Sequence, residues 1–498
     1  MKSSSRRSVR SRRIRLAIAT GVALTAGLLW VPAAQAGTSP TTPSSRPLHD
    51  DFNGDGYPDL AIGAPGTALG SQQKAGAITV LYGSSRGMST SRKQSLTWSQ
   101  RTGTADPKQS YGSALQSADL DGDGYADLLS LVGGSITTGG GTRASGHWVT
   151  VNWGGPKGLS ATPTPLTATT VSGYTLGDVD GDHHPDLITW GAPVDHPEQQ
   201  VSVEKGPFTR AGAGGAVSTL DIASTDFIHP TLVTAGDVNG DGIADLAVGT
   251  SSSEESDSRG VAVLLGSETG FGRPTWLRDG IGRIGGEDLA IGDLNRDGYG
   301  DIVVGHSFDG YDSDVELPTK GGAVIVVYGG PQGLSTTRKP VWINQDTPGV
   351  PGVGEYGDGM GTGLSIGDTD GDGYPDVATG LPGEDFDGIT NAGSVLVLRG
   401  SANGLTGTGA KVFSQNTTGV PGTAEKGDRF GLSTALVDAN ADHKAGLVVG
   451  DPIENASNGS VWVFSAGSGG ITADGSFSFG AATAGLPNHQ AEFGESLD

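Results

Sequence analysis

One acidic nonapeptide recurs seven times along the chain and carries the residue types that bind a hard cation. Its first, third, fifth and ninth positions bear Asp or Asn, whose oxygens can converge with the backbone carbonyl of the seventh position. Oxygen ligands on one short loop suit Ca²⁺ better than Mg²⁺, which demands a tighter octahedron and keeps its waters. The copies begin at Asp51, Asp119, Asp178, Asp237, Asp293, Asp368 and Asp438. The pattern therefore predicts calcium loops.

The first six copies keep the ligand pattern and give a predicted set of six Ca²⁺ sites. Their predicted ligands are Asp51, Asn53, Asp55, Tyr57, Asp59; Asp119, Asp121, Asp123, Tyr125, Asp127; Asp178, Asp180, Asp182, His184, Asp186; Asp237, Asn239, Asp241, Ile243, Asp245; Asp293, Asn295, Asp297, Tyr299, Asp301; and Asp368, Asp370, Asp372, Tyr374, Asp376. The seventh copy offers Asp438, Asn440 and Asp442 but has Gly446 at the ninth position. We leave it outside the predicted set.

Glycine at the sixth position of most copies permits the sharp turn that lets the flanking oxygens converge. Histidine takes this position in the third and seventh copies, as His183 and His443. We expect His183 to strain the turn while leaving its loop's carboxylates intact. The competing interpretation is a series of Asx-rich turns without an ion, but carboxylates clustered in this way repel one another at neutral pH.

The segments around each nonapeptide read as short β-strands. Successive copies start 56 to 75 residues apart, which suits a propeller blade or a solenoid turn. In the first units, apolar or β-branched runs occur at 60–63, 77–82, 96–98 and 111–115. Four strands per unit without helical periodicity predict an all-β fold, a seven-bladed β-propeller of four-stranded blades.

The last residues of the sequence bear on how such a ring closes. Phe493-Gly494-Glu495-Ser496-Leu497 copies the segment found ahead of the nonapeptides, yet no nonapeptide follows it. We expect this segment to supply the inner strand of the first blade and to close the ring, which removes its free edges.

The N-terminus carries the features of an export signal. Basic residues are frequent in 1–15, an apolar run covers 16–30, and Ala34-Gln35-Ala36 supplies a small-residue cleavage site. We predict a signal peptide over 1–36 cleaved after about Ala36, a Ser/Thr/Pro-rich linker over 37–46 and the propeller over 47–498. An uncleaved anchor is the alternative, but its apolar run is short for a membrane span. The export route, general or twin-arginine, stays open, and the mature product is expected to be extracellular, monomeric and without a membrane span.

Composition excludes several functional classes. The net charge of −24 argues against nucleic-acid binding, and the absence of cysteine excludes disulfides, thiolate metal sites and a cysteine nucleophile. The sequence has no H-E-x-x-H helix, G-x-S-x-G elbow or phosphate-binding loop, so no catalytic residue and no enzymatic activity is predicted. The acidic insertions 309–316 and 384–387 are read as solvated loops, with binding of a cation or a basic ligand as the alternative. Trp153 and Trp190 are read as packing residues, with a sugar platform as the alternative.

These motifs together resemble the FG-GAP repeat of integrin α-chain propellers. The resemblance rests on Phe430-Gly431-Leu432-Ser433, on Asp51–Leu60 and on Gly63-Ala64-Pro65, with Gly191-Ala192-Pro193 in the third unit. Gly380-Leu381-Pro382 and Gly450-Asp451-Pro452 are near matches. The chain departs from integrins in having acidic loops in nearly every unit and no leg or membrane helix, and it reads as a secreted, free-standing, bacterial-type member.

The resemblance implies calcium loops on one face of the propeller and ligand binding on the opposite face or rim. We therefore expect an adhesion or recognition module whose partner is an extracellular protein or glycan. Related propellers accompany glycan lyases and a phospholipase, so an extracellular hydrolase or lyase acting on polysaccharide or phospholipid is the alternative function. A structural component of the cell wall or spore surface is a third possibility.

Overall fold

The predicted all-β, seven-bladed propeller is confirmed. A computed structural model describes residues 50–98, 109–137, 143–167, 170–191, 200–222, 228–252, 259–280, 282–309, 320–386 and 388–498. Within these residues, consecutive antiparallel sheets follow one another around a ring. The predicted signal peptide and linker lie outside the described residues, as does the acidic insertion beyond 309.

Each blade is an antiparallel sheet of consecutive strands. Blades 1 and 2 contain β1 (Leu60–Ala64), β2 (Ala77–Leu81), β3 (Lys93–Thr97), β4 (Ser113–Ala118), β5 (Asp127–Thr137), β6 (Arg143–Asn152) and β7 (Thr164–Pro165). Blades 3 and 4 contain β8 (Gly173–Gly177), β9 (Asp186–Trp190), β10 (Gln200–Glu204), β11 (Val217–Asp221), β12 (Ile228–Gly236), β13 (Asp245–Ser252), β14 (Arg259–Leu264) and β15 (Thr275–Trp276).

The remaining blades repeat this pattern. Blade 5 contains β16 (Asp288–Gly292), β17 (Asp301–His306), β18 (Ala323–Val327) and β21 (Val341–Ile343), with a small hairpin of β19 (Gly329–Gly330) and β20 (Gly333–Leu334). Blade 6 contains β22 (Thr362–Gly367), β23 (Asp376–Leu381), β24 (Ser394–Arg399) and β25 (Thr406–Phe413). Blade 7 contains β26 (Ser433–Val437), β27 (Gly446–Asp451), β28 (Ser460–Gly467) and β29 (Gly470–Gly480). Two single turns, α1 (Glu454–Ser457) and α2 (Ala481–Ala484), complete the elements.

The apolar core lies between blades. Strands such as β17 and β18 are buried along their whole length because the neighbouring blades cover both of their faces. The buried apolar side chains of the described residues form seven clusters, and each cluster joins two consecutive blades. Trp153 and Trp190 belong to these clusters and are buried, which agrees with the packing interpretation.

The C-terminal segment closes the ring as predicted. Ala61 and Asp498 exchange both backbone hydrogen bonds, at 2.7 and 3.1 Å, and Gly63 N–H donates to Ser496 O at 2.9 Å. Residues 494–498 thereby give blade 1 its inner strand. Blade 1 consequently has four strands, three of them consecutive in sequence and the fourth from the far end of the chain.

The FG and GAP glycines meet where two blades pack together. The aromatic and glycine of FG precede the inner strand rather than starting it, so the strand predicted from Tyr111 begins at Ser113. A Cβ on Gly63 would fall far inside contact distance of Gly112 O, and one on Gly380 would do the same at Gly431 O. The GAP glycine of one blade thus lies against the FG glycine of the next, and a side chain at either position would push the blades apart.

Among the described residues, no helix has the length and apolarity needed to cross a membrane.

Candidate metal centre

Nonapeptides 2 to 7 each connect the first and second strand of a blade, and nonapeptide 1 leads into β1, the second strand of blade 1, so all seven lie on the same face of the ring. The first carboxylate organises its loop by accepting backbone N–H groups. In loop 1, Asp51 Oδ1 accepts from Gly54 N–H at 2.7 Å and Asp51 Oδ2 accepts from Gly56 N–H at 2.8 Å. Every other loop repeats the bond from the sixth residue. The loop backbone is thus wrapped around one carboxylate.

The sixth position of every loop adopts a left-handed backbone, which explains the preference for glycine there. Its φ is +87° at Gly56 and +87° at Gly373, but also +70° at His183 and +67° at His443. The fourth position is left-handed as well, including at Arg296 and Ala441 in loops 5 and 7, a requirement that the sequence analysis did not find. A residue with a Cβ pays about 1–2 kcal/mol in this conformation.

The ninth carboxylate is buried at the start of the second strand in the first six loops. Asp59 is typical, with Oδ2 accepting from Phe52 N–H at 3.0 Å and Oδ1 accepting from Gly83 N–H at 2.9 Å. Burial raises the pKa of Asp59 to about 8, the backbone donors lower it, and Asp51 and Asp55 raise it further. The pKa of Asp127 is raised to about 7 for the same main reason. A buried carboxylate beside other carboxylates favours either a proton or a cation.

A glycine at the end of the third strand is a partner of the site that the sequence analysis missed. Its N–H donates to the ninth carboxylate at 2.7 to 3.1 Å in each of the first six blades, and the glycines are Gly83, Gly154, Gly206, Gly266, Gly329 and Gly400. A Cβ at these positions would clash with the carbonyl of the loop's eighth residue. The signal available in the sequence was a glycine one or two residues beyond the second apolar run that follows each nonapeptide.

Three loops bring carboxylates together as an ion would require. One oxygen from each of the first, third and ninth positions lies within 4.8 Å of the others in loops 2, 3 and 6, the groups being Asp119, Asp121, Asp127; Asp178, Asp180, Asp186; and Asp368, Asp370, Asp376. Asp121 Oδ1 is also buried without a hydrogen-bond partner. These oxygen-only groups fit a hard cation. Loops 1, 4 and 5 have Asn at the third position, so they offer one carboxylate fewer.

The fifth and seventh positions stand apart from these groups. The fifth carboxylate accepts the N–H of the seventh residue, as in Tyr125 N–H to Asp123 Oδ1 at 3.2 Å, and Asp123, Asp182 and Asp372 lie outside the three-carboxylate groups. The same bond occurs at the predicted ligands Tyr57, His184, Ile243, Tyr299 and Tyr374. Ligation through these two positions stays a prediction.

Basic side chains from outside the nonapeptides reach four of the loops. Arg92 pairs with Asp55 at 2.8 Å, and Arg210 contacts Asp121 and Asp123, at 2.6 Å from its Nε to Asp121 Oδ2. Lys205 pairs with Asp180, and Arg399 pairs with both Asp370 and Asp376, the latter at 3.0 Å. A bound cation would have to share these carboxylates with the side chains or displace them.

The seventh loop lacks this construction. Asp438 still accepts His443 N–H at 2.8 Å, but Gly446 offers no carboxylate at the start of β27. The position equivalent to Gly400 is Ala466, because Leu398 pairs with Val377 as Phe464 pairs with Leu447. The ninth carboxylate and the glycine that serves it are therefore absent together.

Comparison with known families identifies the repeat. A model described as the FG-GAP repeat matches residues 47–81 and 360–398, and one described as an FG-GAP-like repeat matches residues 237–304. The matched segments span nonapeptides 1, 4, 5 and 6 and the strands that follow them.

Comparison with known proteins gives partial matches of the same kind. Integrin alpha-6 of Homo sapiens is 35% identical over 127 residues, 26% of this chain and 10% of that protein. Integrin alpha-PS2 of Drosophila melanogaster is 30% identical over 229 residues, 43% of this chain and 15% of that protein. Phosphatidylinositol-glycan-specific phospholipase D of Bos taurus is 29% identical over 164 residues, 33% of this chain and 18% of that protein. The matches thus cover less than a fifth of each of these relatives.

Proposed function

Because this chain is an FG-GAP-repeat β-propeller similar to integrin α chains, we propose that it is a secreted, Ca²⁺-stabilised recognition module that binds an extracellular protein or glycan. The observation that carries the proposal is the row of nonapeptides on one face, with the first, third and ninth carboxylates of loops 2, 3 and 6 grouped within 4.8 Å. In this proposal, the ions on the face that carries the nonapeptides hold those loops together. The loops of the opposite face remain for a partner.

Calcium would act as a structural ion in this proposal. The residues that would hold it are the first, third and ninth carboxylates, supported by the backbone N–H groups that already orient them. When bound, the ion supplies positive charge that relieves the repulsion between buried carboxylates. Extracellular calcium modules bind at about 10⁻⁴ to 10⁻³ M, so stabilisation outside the cell is the role that suits these loops.

The proposed module has no catalytic activity of its own. Hydrolysis is the second candidate, because a phospholipase D is among the proteins that the chain resembles. That resemblance covers 33% of this chain, and no catalytic residue is predicted in the sequence. The experiment therefore scores both binding and product.

The test incubates protein of residues 37–498 with immobilised polysaccharides, matrix proteins and phosphatidylinositol-glycan vesicles, in Ca²⁺ and in EDTA. Calcium-dependent retention without released product supports the recognition module and identifies the class of ligand. Released product, with or without retention, supports the hydrolase, and the absence of both retention and product on every surface argues against both functions.

A matched variant separates ligand binding from the fold. Asp372→Asn with Asp376→Asn should remove one ion from loop 6 while leaving the opposite face unchanged. Circular dichroism at the assay temperature shows whether the wild-type protein stays folded in EDTA. Unchanged metal stoichiometry in the double variant would refute the ligand assignment in loop 6.

A further inference from the structure

Three buried carboxylates meet at the end of blade 7 that lies opposite its nonapeptide. Asp428 precedes β26, Asp451 ends β27, and Glu454 lies in the turn that follows. One oxygen from each lies within 4.8 Å of the others, and the residues are 5%, 0% and 8% exposed. Oxygens that share one ion at about 2.3 to 2.6 Å are separated by such distances.

Two buried oxygens at this place lack a hydrogen-bond donor. Asp451 Oδ1 accepts from Ile453 N–H at 3.0 Å and from Glu454 N–H at 2.8 Å, whereas Asp451 Oδ2 has no partner. Gln415 is 4% exposed and donates from Nε2 to Glu454 Oε2 at 3.3 Å, while its own Oε1 has no partner. A buried acceptor without a donor costs about 1–3 kcal/mol. The amide oxygen of Gln345 in blade 6 also lacks a donor, so Asp451 Oδ2 is the oxygen that points to a positive partner missing from this place alone.

The protein itself supplies no such partner within the described residues. Burial raises the pKa of Asp451 to about 8 and that of Glu454 to about 7, and neighbouring carboxylates raise both further. The main causes of these two shifts in pKa include no lysine or arginine. This differs from loop 6, where Arg399 pairs with the buried Asp376.

We propose that Asp428, Asp451, Glu454 and the amide oxygen of Gln415 form a second kind of cation site, which takes a hard divalent ion of the Ca²⁺ class on the face opposite the nonapeptides. Four oxygen ligands, three of them carboxylates, match the preference of such ions. The site does not depend on the nonapeptides or on the proposed recognition function.

Blade 6 provides an internal control for this assignment. Gln345, Asp358 and Glu384 lie 70 positions before Gln415, Asp428 and Glu454, and they make the same hydrogen bonds. The residue 70 positions before Asp451 is Leu381, which is buried. Blade 6 therefore has the frame of the site without its central carboxylate.

The site lies beside the segment that closes the ring. Ser457 O accepts Glu492 N–H at 3.0 Å, and Asn458 O accepts Phe493 N–H at 3.3 Å. Asn458 Oδ1 also accepts Gln490 N–H at 3.0 Å. An ion held by Glu454 and Asp451 would fix the turn that receives the C-terminal segment, so it would stabilise the joint between blades 7 and 1.

Metal counting by equilibrium dialysis against Ca²⁺ and elemental analysis tests the site in protein of residues 37–498. Glu454→Gln should bind one ion fewer per chain than wild type, whereas Glu384→Gln, its counterpart in blade 6, should bind the same number. Combining Glu454→Gln with Asp372→Asn and Asp376→Asn should remove one further ion if both sites exist. If Glu454→Gln loses one ion and the loop 6 substitutions lose none, the result supports this site even though loop 6 binds no ion.

A second readout reports the position of the ion. A Cβ at Gly422 would contact both Gln415 and the ring of Trp462, so this ring lies close to the proposed site. Tb³⁺ bound here should therefore be sensitised by tryptophan excitation. That component should disappear in Glu454→Gln and in Trp462→Phe, and Leu381→Asp should gain one ion in blade 6. Wild-type stoichiometry together with an unchanged Tb³⁺ signal in Glu454→Gln would overturn the proposal. Asp451→Leu introduces the residue found in blade 6 and should also bind one ion fewer. If Asp451→Leu does not fold, Glu454→Gln decides the test.

Discussion

The second strands of blades 6 and 7 carry a buried carboxylate at opposite ends. In blade 6, β23 begins with Asp376 and ends with Leu381, whereas in blade 7, β27 begins with Gly446 and ends with Asp451. Both aspartates are almost fully buried, and burial raises the pKa of each. One residue at one end of this strand thus decides at which face of the blade a buried carboxylate lies.

The surroundings differ in how they compensate the buried charge. Asp376 accepts from Gly400 N–H at 2.9 Å, from Thr369 N–H at 3.1 Å and from Arg399. Asp451 accepts only two backbone N–H groups, both through Oδ1, and faces Asp428 and Glu454. The negative charge of Asp376 is therefore largely compensated by the protein, whereas Asp451 has an oxygen available for an ion.

Chelation should open opposite ends of the two blades. Each ion present at about 100 times its dissociation constant stabilises the folded state by about 2.7 kcal/mol, which corresponds to about 100-fold in local opening. We expect EDTA to speed amide exchange at 368–376 in blade 6 and at 451–459 in blade 7. Exchange at 438–446 and 381–386 should change little, and hydrogen exchange with mass spectrometry measures all four segments.

Calcium should abolish a decline of stability with rising pH that is present in its absence. Without ions, Asp59, Asp127 and Asp451 have pKa values raised to between about 7 and 8, so the folded state binds more protons than the unfolded state. Their contribution to stability is present below pH 4 and is lost as the pH rises to about 8. Thermal midpoints in EDTA should fall from pH 5 to pH 8, and midpoints in saturating Ca²⁺ should not. A parallel decline in both series would contradict cation binding by these carboxylates.

Removing the buried carboxylate of blade 6 should destabilise the protein even without calcium. Asp376→Leu leaves the N–H groups of Gly400 and Thr369 without an acceptor and deprives Arg399 of a partner, at a cost of about 3–5 kcal/mol in unfolding free energy. Asp451→Leu in EDTA should cost far less, because it removes repulsion between carboxylates. Urea unfolding in EDTA compares the two, with the exposed Asp372→Asn as the control.

A methyl group at the joint between blades should cost about 1–3 kcal/mol. Gly380→Ala would press against Gly431 O of blade 7, and Gly450→Ala would press against Gly494 O of the closing segment. The two variants report the blade 6–7 and 7–1 joints separately. Gly469→Ala, where a Cβ meets open space, should leave the unfolding free energy within about 0.5 kcal/mol.

The smallest effect is expected at the sixth position of the histidine-bearing loops. Glycine relieves the left-handed backbone at His443 but adds entropy to the unfolded chain, so His443→Gly should stabilise by at most about 1 kcal/mol. This gain should be the same in Ca²⁺ and EDTA. His183→Gly lies in loop 3, whose carboxylates are grouped, so it should stabilise the protein more in Ca²⁺ than in EDTA. An equal stabilisation in Ca²⁺ and EDTA would argue that loops 3 and 7 do not differ in ion binding.

The fold was largely predictable because its signals are local and repeated. Each nonapeptide marks one turn between strands, so counting copies gave the number of blades, and the copied segment at Phe493 indicated how the ring closes. The start of the inner strands was less accurate, because Tyr111 and Gly112 look like strand residues but pack between blades. Their conformation depends on the neighbouring blade, which local sequence does not record.

The parts of the sites that escaped prediction are assembled from distant segments. Gly83 donates to Asp59 from just beyond the third strand, and Gln415 and Asp428, both in the connection before β26, meet Asp451 at the end of β27. In sequence, Asp451 looked only like a departure from the proline-containing GAP motif. Its partners become visible when the turn after the second strand and the loop before the first strand meet on one face.

Ring closure by the C-terminal segment also sets an order of events for the newly made chain. Until residues 494–498 pair with blade 1, Ala61 and Gly63 lie on the unpaired edge of a sheet. Such an edge accepts a matching strand from any molecule, so two complete chains whose rings are still open can exchange closing segments and assemble into swapped oligomers. The pairing spans almost the whole described chain, and contacts of such high sequence separation slow folding.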